Sequence, residues 1–283
     1  MLCFRLFNET EPAKPLADAV LQLREGKASN DFYDVAPLSF RQIPNAPFAY
    51  WVSERIRQLF KALPLFEADG RTVRQGLATA DDFRFVRASW EVEVDSDVRM
   101  SWPPFAKGGA YSLYYADVFL VVNWSNAGLE IKNNYNEKGT LRSNVWMLGE
   151  TEKVNFYKPG ITWPLRAFRF CPQAMPAGCV FSVRGYSAQA AKDDLPVLFG
   201  LVSGQVFDAL FKLMLGRMGY PEFIVGVFQL LPVPSSIPKT TRRALEKKVV
   251  NAWSTKRRTD TATLTSHAFH IPALAPGRSI KQQ

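Results

Sequence analysis

Histidine is almost absent from this chain, which has 283 residues and two histidines, His267 and His270. A serine or cysteine nucleophile needs a neighbouring base to take its proton, and neither histidine lies near a G-x-S-x-G elbow. Triad hydrolysis is therefore not expected. Cysteine is also scarce. Cys3, Cys171 and Cys179 are odd in number and form no C-x-x-C pair, which argues against a disulfide framework or a zinc site and fits a reducing cytoplasm. Glycine supplies no nucleotide loop, because Lys107-Gly108-Gly109 lacks the G-x-x-x-x-G-K-[ST] spacing and a following helix. The first ten residues, MLCFRLFNET, lack the long apolar core and cleavage site of a secretory signal. The most apolar long segment, Leu195 to Leu215, carries Gln205, Asp208 and Lys212, each costly in a bilayer. No membrane segment is expected.

Basic residues are plentiful. Thirty-five Lys and Arg against twenty-six Asp and Glu give a net charge of +9, so an anionic partner such as nucleic acid is indicated. With 47% hydrophobic and 22% charged residues the chain can bury a substantial core and form one large domain or two modest ones.

The hydrophobic spacing predicts an α/β (α+β) chain with a β-rich core flanked by helices and a basic C-terminal helix. Leu-Cys-Phe-Arg-Leu-Phe at 2–7 reads as a short strand. Leu16, Val20 and Leu23 read as an amphipathic helix that Gly26 can end. Val52, Ile56, Leu59, Phe60 and Leu63 repeat the helical pattern, with Arg55, Arg57 and Lys61 largely off the apolar stripe. Strands are expected from Arg84 to about Val94, at Val118–Val122, Ile161–Leu165, Phe168–Cys171 and Cys179–Val183, with some helix around Leu129 to Tyr135. Leu195 to Met214 reads as two helices, or one kinked at Ser203-Gly204. Pro238 can open a last helix with Leu245, Val249, Ala252 and Trp253 on one face and Lys239, Arg242, Arg243, Lys247, Lys248, Lys256, Arg257 and Arg258 around the rest. The expected division is a mixed lead-in (1–72), a β-rich core (73–235), and a basic helix with a frayed tail (236–283).

Two stretches interleave cations with aromatic and small residues: Gly76 to Arg87, and Trp102-Pro103-Pro104-Phe105-Ala106-Lys107-Gly108-Gly109. Such a surface can grip phosphates and approach base edges. Alternation along a strand would put Arg84 with Val86 on one face and Arg87 with Phe85 on the other. Further along lie Arg142, Lys158, Arg166 and Arg169. The expected DNA-binding residues are Arg84, Arg87, Lys107, Arg142, Lys158, Arg166 and Arg169, with no catalytic or metal-ligating residue.

Two chemistries come close to a match. Trp102-Pro103-Pro104-Phe105 imitates the [N/D/S]-P-P-[Y/F/W] motif of amino-methyltransferases, yet an indole offers a donor and no acceptor for the target amino group. No F-x-G-x-G turn for the methionine part of S-adenosylmethionine accompanies it. Asp117 followed by Glu130-Ile131-Lys132 resembles the D…E-x-K arrangement of metal-dependent nucleases, and Asn126-Ala127-Gly128 before Leu129 reads as readily as a turn into a helix.

In order along the chain, Phe48 to Ser53, Gly76 to Arg87, Trp102 to Gly109, Val122-Asn123-Trp124, Pro159 to Pro164, Pro176 to Phe181 and Ala252 to Arg257 resemble the C-terminal half of PglX. These are the adenine-specific DNA methyltransferases of bacteriophage exclusion (BREX) systems, related to type IIG restriction-modification enzymes. The resemblance runs from about residue 2 to Leu274. It implies a target-recognition role on double-stranded DNA, with the methyl-donor site and N-P-P-Y motif in a methyltransferase domain that this sequence lacks. S-adenosylmethionine would bind there, so no cofactor is expected in this chain. Implied partners beyond DNA are a separate methyltransferase domain or other BREX proteins, and a truncated or split gene would explain the departure. The competing expectations are a nuclease using Asp117, Glu130 and Lys132, and a non-functional fragment.

Overall fold

Alternation at Gly160–Pro164 sets the architecture: Ile161 and Trp163 face one way and Thr162 the other, in a strand buried along its whole length. A computed structural model describes residues 1–6, 9–27, 32–93, 101–216 and 219–270. The tail expected to fray after Ala273 lies outside the described residues, as does Val94 at the end of an expected strand.

In chain order, β1 (Leu2–Phe4) pairs antiparallel with β2 (Phe32–Asp34), and α1 (Ala13–Arg24) lies between them in sequence. Gly26, at φ 72°, follows α1 where its lack of Cβ permits the left-handed turn. Next come α2 (Glu54–Ala62), β3 (Thr72–Arg74), α3 (Asp82–Phe85), β4 (Val86–Ala88), β5 (Phe105–Ala106), β6 (Leu120–Val122) and α4 (Ser125–Lys132). They are followed by α5 (Val145–Leu148), α6 (Glu150–Val154), β7 (Gly160–Pro164), β8 (Gln173–Met175), β9 (Val180–Phe181) and β10 (Gly185–Gln189). The helices α7 (Leu195–Val202), α8 (Gln205–Leu215), α9 (Val225–Phe228) and α10 (Lys239–Arg258) complete the series.

The principal sheet runs β3-β10-β7-β8, all antiparallel. One face carries Val73, Ala188, Ile161 and Trp163 into a core shared with Phe60 of α2, Phe66 and the α7–α9 helices. Trp163 sits at its centre, wholly buried, with Nε1 donating to the Phe223 carbonyl at 2.9 Å and its ring stacked 4.8 Å from Phe228. The opposite face is polar, with Ser187 paired across from Thr162, and Thr162 across from Gln173. A second core of Leu77, Phe85, Phe105, Val122, Trp124 and Phe181 gathers around the antiparallel pair β4–β6 and the parallel pair β5–β9. The result is the α+β fold expected from the spacing.

Four local expectations change. Arg57 is buried, donating to the Tyr50 carbonyl at 3.5 Å and pairing with Glu54 at 3.5 Å, because α2 tucks that side under the Tyr50 turn. Arg84 stands in the helical turn α3, where Asp81 Oδ1 accepts the Arg84 amide at 3.1 Å, so the strand begins only at Val86, and it gives way after Ala88 to a 3-10 turn at Ser89–Glu91. Phe168–Cys171 is not a strand: the Phe170 amide donates to Asp208 Oδ1 at 2.7 Å and the ring enters the aromatic core. Finally, β2, β3, β5, β8 and β10 are strands that the sequence did not announce.

The helices α7 and α8 break at Ser203-Gly204 with a 67° bend, and among the described residues no single helix is long and apolar enough to cross a membrane. All three cysteines are buried and unpaired. Burial pushes the Cys171 thiol up to about 11 and Cys179 up to about 12, and the thiolate is the reactive form. A water-soluble thiol reagent at mildly alkaline pH is therefore expected to leave both unmodified in the folded chain and to modify all three cysteines in denaturant. Rapid native labelling of Cys171 or Cys179 would contradict the packing around them.

Candidate nucleic-acid interface

The loop after β3 is held by backbone contacts that leave no room for a side chain at Gly76. A Cβ there would stand 1.9 Å from the Phe181 carbonyl oxygen. Beside it the Leu77 amide donates to the same oxygen at 2.8 Å, fixing the loop against β9. Asn144 clamps the next residues: its Oδ1 accepts the Ala78 amide at 2.6 Å and its Nδ2 donates to the Gly76 carbonyl at 2.9 Å. The turn into α3 is set by Thr79, whose hydroxyl donates to Asp82 Oδ1 at 2.6 Å.

Asp82 also joins the two stretches singled out in the sequence, because its other oxygen pairs with Lys107 Nζ. Lys107 leads into a tight crossing with the turn before β10. At Gly108, φ is 82° and a Cβ would lie 2.3 Å from the Arg184 carbonyl oxygen. Burial, and then the nearby Arg184 guanidinium, hold the Lys107 ammonium below the usual lysine pKa.

The expected DNA contacts divide by how their charge is engaged. Arg84 lies 4.8 Å over the Phe85 ring and pairs with Glu130 at 3.1 Å. Arg87 folds back to donate to the Phe83 carbonyl at 2.5 Å and the Val86 carbonyl at 2.8 Å. Arg166, in the segment between β7 and β8, pairs with Glu222. Arg142 and Lys158 are exposed and make no ion pair among the described residues, and Arg169 lies part-buried near Tyr111. Thus Arg84, Arg87 and Lys107 are brought into one region by α3 and β5, while Arg166 and Arg169 project from the segment that closes the first core. Because Arg84 is in a helical turn, the strand alternation that would separate it from Arg87 does not apply.

The nuclease arrangement does not assemble. Glu130 faces Arg84, whereas Lys132 pairs with Glu152 at 2.6 Å and lies 5.4 Å over the Trp124 ring. Asp117 instead accepts from the His267 amide at 3.2 Å, lies 3.1 Å from His267 Nδ1, and accepts the Tyr115 hydroxyl at 3.2 Å. Among the described residues no group of three His, Cys, Asp or Glu could hold a metal ion. The turn at Asn126–Gly128, with φ of 49°, 56° and 75°, is the alternative reading of the same residues.

Trp102 lines an open cleft of about 780 Å³ with Trp90, Pro104, Val121, Leu264 and His267. The residues beside it do not fit S-adenosylmethionine chemistry: the Pro103 carbonyl is taken by the Val122 amide at 3.1 Å, and Trp102 presents an indole where the methyltransferase motif needs an acceptor. The Asp117–His267 contact, and the acidic partners of Arg84 and Arg166, had no local signal. The turn α3 did carry one, Asp81 three residues before Arg84, an N-cap residue type whose side chain accepts the Arg84 amide.

No protein-family profile matches the chain. Over 186 residues it is 28% identical to the adenine-specific methyltransferase PglX of Lacticaseibacillus casei (strain Zhang), a match covering 61% of this chain and 15% of that protein. Part of this chain is homologous to adenine-specific methyltransferases. The adenine-specific methyltransferase BrxX of Escherichia coli O9:H4 (strain HS) is 25% identical over 181 residues, covering 62% of this chain and 14% of BrxX. The chain thus spans about 15% of the length of these relatives. Among solved structures, the type IIG restriction endonuclease BpuSI superposes with a TM-score of 0.42 at 11% identity, over 69% of this chain and 28% of that one.

Proposed function

We propose that this chain is the DNA sequence-recognition portion of a BREX or type IIG-like adenine-specific (N6) methylation system, without methyl-transfer activity of its own. The observation that carries the proposal is similarity to part of two adenine-specific methyltransferases in a chain whose W-P-P-F segment cannot receive a target amino group. Residues 73–235 form the recognition domain, following the 1–72 lead-in and preceding the basic segment 236–283. Arg84, Arg87, Lys107, Arg142, Lys158, Arg166 and Arg169 are its DNA contacts. The segments Phe83 to Arg87 and Trp102 to Lys107 reach base edges, and the lysines and arginines position the duplex through its phosphates. A separate domain holds S-adenosylmethionine and receives the flipped adenine. The chain works in the cytoplasm.

Titrating labelled duplex DNA at several salt concentrations tests this reading. Log affinity is expected to fall linearly with log salt, by about 0.9 for each phosphate engaged. The Arg142→Ala/Lys158→Ala pair is expected to flatten the slope by about two. Absence of binding at low salt, or binding without a salt slope, would remove the recognition role.

A further inference from the structure

The basic helix α10 places its charges unevenly. Its apolar side is already covered: Val249 is buried, and a Cβ at Gly200 of α7 would stand 3.4 Å from Leu245. Arg242 is engaged internally, pairing with Asp194 at 2.7 Å and Glu246 at 3.2 Å, and Arg257 lies 5.8 Å over Trp253. On the opposite side Lys239, Arg243 and Lys247 follow one another at i, i+4 and i+8, and Arg258 continues the same arc. At 1.5 Å per residue the line is about 28 Å long. These residues are exposed, and among the described residues none has an acidic partner.

This contrasts with Arg84, Lys107 and Arg166 in the recognition core, each already paired with a carboxylate. The first turn of α10 contains no acidic residue, and Lys239 and Arg243 lie near the positive end of the helix dipole, which disfavours them in the free helix and favours a bound anion there. We infer that the Lys239–Arg243–Lys247–Arg258 face is a phosphate-tracking rail for duplex DNA, and that it supplies most of the chain's sequence-independent affinity. The inference rests on the DNA-recognition reading above. A membrane surface is the less favoured occupant, because an interfacial helix needs a free apolar face and that of α10 is packed on α7.

The test compares wild type with Lys239→Ala/Arg243→Ala/Lys247→Ala and with a charge-matched control, Lys14→Ala/Arg24→Ala/Lys61→Ala, taken from exposed positions of α1 and α2. Alanine is a strong helix former, so α10 is expected to persist, and thermal melts of both variants check this. The α10 variant is expected to bind a non-cognate duplex at least about tenfold more weakly near 0.1 M salt, with a slope flatter by two to three, while the control stays near wild type. Equal losses in both variants would assign the effect to net charge and overturn the rail. Wild-type slope in the α10 variant would also overturn it while leaving the recognition reading intact. Failure of the wild type to bind any duplex would instead remove that reading, and the rail with it. Vesicles containing phosphatidylserine supply a further arm: α10-dependent vesicle binding together with an unchanged DNA slope would reassign the face to a membrane.

Discussion

Trp163→Ala is expected to cost about 3–5 kcal/mol of unfolding free energy, the range for removing a fully buried large aromatic. Three losses combine. The indole fills the space between Phe170, Tyr186 and Phe228, with ring centroids 5.4, 5.9 and 4.8 Å away, so truncation opens a cavity in the densest part of the first core. The Phe223 carbonyl loses its donor in a buried setting. Trp163 also stands in β7, an internal strand flanked by β10 and β8, with Tyr186 of β10 paired across from it, leaving little freedom to collapse around the gap. Urea denaturation followed by circular dichroism would measure the change, and a midpoint shift equivalent to less than 1 kcal/mol would show that the site repacks. Trp163→Phe keeps a ring but not the donor and is expected to fall between the two.

Gly76→Ala is expected to have an effect out of proportion to one methyl group. The added Cβ would meet the Phe181 carbonyl oxygen at 1.9 Å and its carbon at 2.3 Å, both backbone atoms that no rotamer change can move. The loop must lift from β9, weakening the Leu77 to Phe181 hydrogen bond and pulling against the Asn144 clamp. A loss of about 1–3 kcal/mol or more is expected from such overpacking. Gly226→Ala is the control, since a Cβ there meets nothing within 4 Å and alanine favours the helical turn α9. Equal stability of the two variants would refute the close crossing. Because the same loop carries Thr79 and Asp82 toward Lys107, the Gly76 variant is also expected to weaken the DNA binding proposed for this region more than its stability loss alone explains.

Elements with long, unbroken apolar spacing were readable from the residues: α2, the α7–α8 pair with its break at Ser203-Gly204, α10, and the buried strand β7. What escaped was short or small. The strand β10 is Gly-Tyr-Ser-Ala-Gln, buried throughout, and its side chains announce neither period two nor a hydrophobic run. At Arg84 a strand-like alternation competed with a helix start capped by Asp81, and the hydrogen bond from the Arg84 amide to Asp81, with Thr79 holding Asp82, decided for the helix. The ionic state of the candidate site was less accessible still. Arg84 meets Glu130 across 46 residues and Arg166 meets Glu222 across 56, and no local pattern encodes such pairings. The number of positive charges in the sequence therefore overstates what the segment 73–235 leaves free and understates the contrast with α10.

The principal sheet draws its strands from distant parts of the chain, and this bears on the order of folding. The edge strand β3 pairs with β10, the Phe66 amide donates to the Leu231 carbonyl at 2.8 Å, and Gln229 reaches the Val73 carbonyl across 156 residues. Loop-closure entropy must be overcome before such contacts return any stability, so topology of this kind folds slowly. On the ribosome the first core cannot close until residues near Leu231 have emerged. Until then Phe60, Phe66 and Val73 lack the partners that cover them in the finished protein, and the nascent chain passes through an interval in which its own apolar surface is open to aggregation or to chaperones.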